Sequence, residues 1–131
     1  MGTLLHTFRH HIADPATRER TFLECATDEV TYGDFGKIVD HQAQVLQQHY
    51  GDKPVVAIVA ANCPYTLALL FATWSIGGIV AMLDLRAPRA LLLGMLEKIK
   101  PAVVFASSVD AQTCSWITGM FFSPSVVLKC F

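Results

Sequence analysis

The segment from Asn62 to Pro88 is NCPYTLALLFATWSIGGIVAMLDLRAP, and its structure decides the fold of the whole chain. It belongs to a stretch between Lys53 and Asp84 that contains no charged residue. A helix of this length and polarity is long enough to cross the roughly 30 Å hydrocarbon layer of a membrane. The same residues are also compatible with a helix, a turn and a strand inside an α/β domain. The two interpretations predict different classes of protein.

The composition of the segment favours the helix, turn and strand. Thr66 and Thr73 lower its hydrophobicity. Gly77 and Gly78 stand where a helix in a globular domain would end, because glycine accepts the left-handed backbone of a C-cap. A membrane span would also leave the apolar runs on either side of the segment without partners. A small single-span membrane protein is therefore kept only as the third interpretation.

Three short apolar runs predict strands that are buried on both faces, as in a parallel sheet. They are VVAIVAA at 55–61, IVAML at 79–83 and AVVFAS at 102–107. A helix beginning near Pro64 separates the first two runs, and a helix from Pro88 to Lys100 separates the last two. The apolar side of that second helix is predicted to comprise Leu91, Leu92, Met95, Leu96 and Ile99. Alternating strands and helices of this kind form parallel sheets with right-handed crossovers.

The first fifty residues predict a hairpin between two helices. A short helix is expected over residues 4–12, and RTFLECATDEVTY predicts two strands around a turn at Thr27-Asp28. Thr31 is the expected N-cap of an amphipathic helix that ends at Gly51. The predicted fold class is therefore α/β, with an N-terminal β-hairpin followed by a βαβαβ parallel-sheet unit.

Composition limits the function classes. The chain has 131 residues, enough for one modest domain, and a formal charge of −1, which offers no general attraction to nucleic acid. Its hydrophobic content is 53% and its charged content 16%, so we expect either a membrane protein or a part of something larger. The spacing of the four cysteines fits neither a disulfide framework nor a zinc site, which favours a reducing, cytoplasmic location: Cys25, Cys63, Cys114 and Cys130.

Individual candidate site residues are better explained by structure than by chemistry. His6 and His10 are four residues apart, but no third ligand is placed to complete a metal site. Asp84 follows a predicted parallel strand, where α/β sites gather, although capping of the next loop is the favoured interpretation. Trp74, on a helix expected to be buried, is predicted to pack against other side chains rather than to stack on a ligand.

Two further motifs lack the pattern that a known site requires. The pair Ser107-Ser108 is not embedded in the G-x-S-x-G turn of a nucleophilic serine, and the end of a strand is the preferred interpretation. The pair Gly77-Gly78 precedes a strand, whereas the glycines of a dinucleotide site follow one. A turn is therefore predicted there.

Several motifs in order resemble the N-terminal part of AMP-forming synthetases and ligases. TYGDF at 31–35 resembles the T-Y-x-E-L element of that family, with Asp34 and Phe35 as departures. The Gly-Asp turn, strand, Asn, helix, Gly-Gly turn and strand from residue 51 to residue 84 are similar to the segments that follow it. The next helix and strand extend the resemblance, which covers about residues 20–107. Met82 and Leu85 depart from frequent prolines.

The resemblance implies an acid–thiol ligase. Members of the family activate a small carboxylic acid with ATP and Mg to an acyl adenylate, then pass it to CoA or a carrier thiol. The Ser/Thr/Gly-rich phosphate loop ending in Lys, the ribose-binding aspartate and the catalytic lysine have no counterpart in this sequence. No catalytic, cofactor-binding or metal-binding residue is therefore assigned, no cofactor is assigned to this chain, and the resemblance leaves open whether the chain is an enzyme.

We expect residues 1–108 to be a partial N-terminal region of such a ligase domain and residues 109–131 to be a divergent tail outside the family. A truncated chain of this kind is expected to be catalytically inactive. The alternative from another class is a non-enzymatic interaction or regulatory module. In that case the exposed sheet edge would pair with a relative or self-associate.

Overall fold

A computed structural model describes residues 3–25, 28–59, 64–84, 86–106 and 127–130 of the protein. Five helices lie in this part of the chain: α1 (Leu4–Ala13), α2 (Pro15–Arg18), α3 (Tyr32–Tyr50), α4 (Pro64–Ser75) and α5 (Arg89–Ile99). Six strands accompany them: β1 (Thr21–Glu24), β2 (Glu29–Thr31), β3 (Val55–Val59), β4 (Ile79–Leu83), β5 (Val103–Ala106) and β6 (Val127–Cys130).

The larger sheet is parallel throughout, with strand order β4-β3-β5-β6. Its register places Val56 of β3 opposite both Val80 of β4 and Val103 of β5. β1 and β2 form a separate antiparallel hairpin. The predicted α/β class, with a hairpin followed by a βαβαβ unit, is confirmed.

Helices cover the sheet on both faces. The crossover from β3 to β4 and that from β4 to β5 run in opposite directions across the sheet, so right-handed connections place α4 and α5 on opposite faces. The alternation of side chains along β3 fits this arrangement. Val56 and Ile58 pack in one buried cluster with α3 and α4, whereas Ala57 and Val59 pack in a second cluster with Leu92 of α5.

The segment that decided the fold is a helix, a turn and a strand, as predicted. α4 is 12 residues long and ends at Ser75. Gly77 then takes a φ of +75°, and Gly78 lies so close to the Pro54 carbonyl that an added Cβ would be 2.6 Å from its oxygen. Within the described ranges, no helix is long and apolar enough to cross a membrane.

The N-terminal helices pack through an aromatic cluster. Phe8 of α1 is buried, and its ring centroid lies 5.2 Å from that of Phe22, 5.4 Å from that of Phe35 and 4.9 Å from that of Phe71. These contacts join α1, β1, α3 and α4 around one ring. Edge and tilted contacts of this kind stabilise a core beyond the area that they bury.

The predicted limits of α3 are confirmed. The backbone N–H of Asp34 donates to Oγ1 of Thr31 at 3.1 Å, which makes Thr31 the N-cap. Gly51 closes the helix with a φ of +75°. A four-residue helix, α2, was not predicted; Asp14 caps it by accepting a hydrogen bond from the Ala16 N–H at 3.0 Å.

The predicted apolar side of α5 is only partly covered: Leu92 and Leu96 are buried, but Leu91 is 50% exposed and Met95 37% exposed. Trp74 packs on Phe71, as predicted, with ring centroids 5.7 Å apart, and is 37% exposed. Helical periodicity identified the apolar stripe but not the width of the surface that covers it.

β6 lies in the segment predicted to be a divergent tail and pairs in parallel with β5, Val127 opposite Val103. The tail boundary at residue 108 stays a prediction, because most of 109–131 lies outside the described residues. Other predictions also fall outside them, namely Thr27 in the hairpin turn, Ala60 and Ala61 at the end of the first strand, and Ser107-Ser108.

Candidate functional site

The carboxyl ends of β3, β4 and β5 lie along one edge of the sheet. Because these strands are parallel, Val59, Leu83 and Ala106 all end at this edge. The first residues of α4 follow β3 there. Ligand sites of α/β proteins form at the carboxyl edge, where loops and helix starts converge. A ligand site of this fold is therefore expected at this edge.

A cleft of about 350 Å³ opens here, in the size range of small-molecule sites. It lies between the hairpin, the first half of α4 and β4, and we call it the carboxyl-edge cleft. Its lining is mainly apolar: Leu23, Glu24, Cys25, Pro64, Thr66, Leu67, Leu70 and Met82. The arrangement can therefore hold the apolar part of a ligand.

The few polar groups of the cleft differ in exposure. Thr66 is buried within its wall, whereas Glu24 and the free thiol of Cys25 are exposed. Glu24 also stands directly opposite Glu29 in the hairpin register. The Glu29 carboxylate accepts a hydrogen bond from Oγ1 of Thr21 at 3.4 Å, so Glu24 is the carboxylate that lines the rim of the cleft.

Asp84 lies at the same edge, but its carboxylate is engaged in the turn that follows β4. Oδ1 accepts a hydrogen bond from the backbone N–H of Arg86 at 2.8 Å, and the Arg86 Nε is 3.3 Å from the same oxygen. The backbone N–H and then the guanidinium of Arg86 lower the pKa of Asp84 below its usual range. The carboxylate caps the turn, as the sequence favoured.

The described carboxyl edge carries charges of both signs. Glu24 and Asp84 are carboxylates, the exposed guanidinium of Arg86 pairs with Asp84, and Arg89 begins α5. No three His, Cys, Asp or Glu side chains in the described ranges form a group able to hold a metal ion. No step of nucleotide chemistry is therefore assigned to these residues.

The other residues singled out from the sequence do not converge on the cleft. His6 and His10 lie exposed on α1. Gly77 and Gly78 form the turn between α4 and β4, and Trp74 lies near the end of α4. The sequence analysis missed the cleft itself, because its walls come from three segments that are distant along the chain.

One family model matches the chain from residue 9 to residue 120, and its description is AMP-binding enzyme. The chain belongs to the AMP-binding enzyme family. Hispidin synthase from Neonothopanus nambi is 35% identical over 114 residues, which is 86% of this chain. This relationship confirms the resemblance to AMP-forming ligases drawn from the sequence.

Solved structures share the fold. A chain from Rhodopseudomonas palustris, assigned as a long-chain-fatty-acid CoA ligase, superposes on 99% of this chain with a TM-score of 0.83 and 20% identity. VinN in complex with 3-methylaspartate superposes on 98% with a TM-score of 0.84 and 15% identity. This chain spans 33% and 34% of those two chains and 7% of the hispidin synthase. The likeness therefore concerns one part of larger proteins.

Proposed function

We propose that this chain is the N-terminal part of the ligase fold of a protein that activates a carboxylic acid with ATP and passes the acyl group to a thiol. The observation that carries the proposal is the family match from residue 9 to residue 120. In such an enzyme the described residues supply sheet and helices on which the catalytic parts are built. The acid, the thiol and the use of ATP and Mg are parts of the proposal.

We further propose that the 131-residue chain alone is catalytically silent. The sequence has no Ser/Thr/Gly-rich loop ending in Lys, the element that would neutralise the pyrophosphate leaving group. The test is ATP–pyrophosphate exchange with a panel of fatty, aryl and amino acids, alongside a full-length family member as positive control. Acid-dependent exchange that co-purifies with the chain would contradict this proposal.

A second test addresses the ligase assignment separately. The coding DNA beyond codon 131 is sequenced and translated in the same frame. We expect a loop rich in Ser, Thr and Gly that ends in Lys, because pyrophosphate is a charged leaving group that must be neutralised. A stop codon followed by unrelated sequence would favour a non-enzymatic role.

The open edge of β4 favours a second candidate, an interaction module that pairs with a second copy. Among the described strands, β4 pairs only with β3. The Ile79 N–H donates to the Pro54 carbonyl, so by strand alternation the backbone groups of Val80 and Met82 point away from the sheet. Ile79 is 64% exposed and Met82 48% exposed. Unprotected apolar edges of this kind template pairing with another chain.

Sedimentation of paired lysine variants tests this candidate. Met82→Lys places a charge on the β4 edge and should abolish self-association. Leu91→Lys places the same charge at a similarly exposed position on α5, away from the edge, and should leave it unchanged. A wild-type chain that sediments as a monomer, or two variants that behave alike, would refute edge pairing.

A further inference from the structure

The carboxyl-edge cleft has a defined capacity. Its volume is about 350 Å³, whereas a cavity of about 150 Å³ is enough to hold one benzene molecule. Leu23, Leu67 and Leu70 contribute branched apolar walls, and Met82 adds a flexible side chain that adapts to ligand shape. The body of the ligand that fits is therefore apolar and can be larger than benzene.

The charge at the mouth of the cleft selects the sign of the head group. The hairpin carries Glu24, Asp28 and Glu29, and the sequence has no Lys or Arg between Arg20 and Lys37. Across the sheet edge, the Arg86 guanidinium is bonded to Asp84. Arg89 begins α5 on the same edge, but neither arginine is among the described lining residues, whose charged member is Glu24. At the rim itself, Glu24 therefore repels an anion and attracts a cation.

We propose that the carboxyl-edge cleft binds a small amphiphilic ammonium ion, with its apolar body between α4 and the hairpin and its cationic head beside Glu24. Glu24 is the carboxylate available to such a head, because it lines the cleft while the Glu29 carboxylate accepts a hydrogen bond from Oγ1 of Thr21 at 3.4 Å. This site is independent of the adenylation chemistry proposed above. It disfavours both the carboxylate substrate and the phosphates of that reaction.

Three probes of equal chain length separate the apolar and electrostatic contributions: octylammonium, octan-1-ol and octanoate. Each is titrated into the full 131-residue chain at neutral pH, and backbone amide shifts of Leu23, Leu67 and Leu70 are followed by NMR. Octylammonium has about nine non-hydrogen atoms and should bind with a dissociation constant on the order of a millimolar. Octylammonium should bind about fivefold more tightly than octan-1-ol and at least about tenfold more tightly than octanoate. Added salt should reduce both ratios, because the charges are exposed.

Matched variants test whether Glu24 causes the preference for the cationic probe. In Glu24→Gln, the dissociation constant of octylammonium should come within about twofold of that of octan-1-ol. The substitution removes the nearest carboxylate while keeping the shape of the side chain. Glu97→Gln removes one exposed carboxylate from α5, outside the cleft. This control should leave the relative affinities of the three probes unchanged.

Met82→Trp fills the cleft from its exposed rim and should abolish the amide shifts with all three probes. Leu67→Phe serves the same purpose if the amide spectrum of Met82→Trp shows loss of folding. Equal binding of octylammonium and octan-1-ol, binding of octanoate as tight as octylammonium, or cation preference that survives Glu24→Gln would each overturn the proposal. So would amide shifts that lie outside the cleft.

Discussion

The turn formed by Gly77 and Gly78 joins α4 to β4, and the two glycines are required for different reasons. Gly77 has a φ of +75°, but an added Cβ would meet only the Lys53 side chain at 3.4 Å, an ordinary contact. Gly77→Ala should therefore cost only the left-handed conformational penalty, about 1–2 kcal/mol.

Gly78→Ala should cost more, because its Cβ would collide with its surroundings. That atom would lie 2.6 Å from the Pro54 carbonyl oxygen and 2.7 Å from Cγ2 of Thr73. Overpacking of this kind costs about 1–3 kcal/mol. The Pro54 carbonyl also accepts the Ile79 N–H at 2.9 Å, and weakening this bond adds about 1 kcal/mol. The expected total is about 2–4 kcal/mol.

Gly94 provides the matched control. It lies within α5, and an added Cβ would meet nothing within 4 Å. Gly94→Ala should therefore stabilise the protein by about 0.5–1 kcal/mol, because alanine loses less backbone entropy in a helix.

Urea unfolding measures all three variants, at a protein concentration where the wild-type midpoint no longer depends on concentration. With a slope of about 2 kcal/mol per molar urea, Gly78→Ala should lower the midpoint by about 1–2 M and Gly77→Ala by about 0.5–1 M. Gly94→Ala should raise it by about 0.3–0.5 M. The reasoning is refuted if Gly78→Ala is no more damaging than Gly77→Ala, or if Gly94→Ala is as harmful as either.

Two further predictions concern capping groups. Thr31→Ala should lower the free energy of unfolding by about 1 kcal/mol, because Oγ1 caps α3, while Thr31→Ser should retain most of that stability; urea midpoints decide this. Asp84 has a lowered pKa in the folded state, so its carboxylate contributes stability above the unfolded pKa that is lost as pH falls through the folded pKa. Asp84→Asn keeps an acceptor for the Arg86 N–H but does not titrate, so the stability gap between wild type and variant should stay constant above about pH 5 and shrink as the pH falls below 3.8. A gap that widens on acidification would contradict that sign.

The local elements were predictable because each depends on a few neighbouring residues. The strand at 79–83, the N-cap at Thr31 and the helix end at Gly51 each carry a short, specific signal. The strand order was not predictable, since β-branched apolar runs do not specify their neighbours. The exposure of Leu91 and Trp74 depends on which surfaces meet in three dimensions, and periodicity alone does not contain that information.

The candidate site was the least predictable feature. Leu23 lies in the hairpin, Leu67 on α4 and Met82 on β4, and none of these residue types signals binding. The motifs of nucleotide chemistry that the family resemblance implies are missing from this sequence, so they do not indicate the cleft. The negative sign of the cleft follows from charges that are visible in the sequence, but only the fold places Glu24 beside the apolar wall.

The strand order also determines which part of the sheet lacks its neighbours while the chain is being synthesised. β3 lies between β4 and β5, yet both neighbours and α5 follow it along the chain. A ribosome adding about 5–20 residues per second needs several seconds to make the roughly fifty residues that separate β3 from the end of β5. Until α5 has been made within that interval, the Ala57 and Val59 face of the strand has no cover from it. Nascent chains of this fold should therefore pass through a brief period of chaperone dependence that ends when β5 emerges.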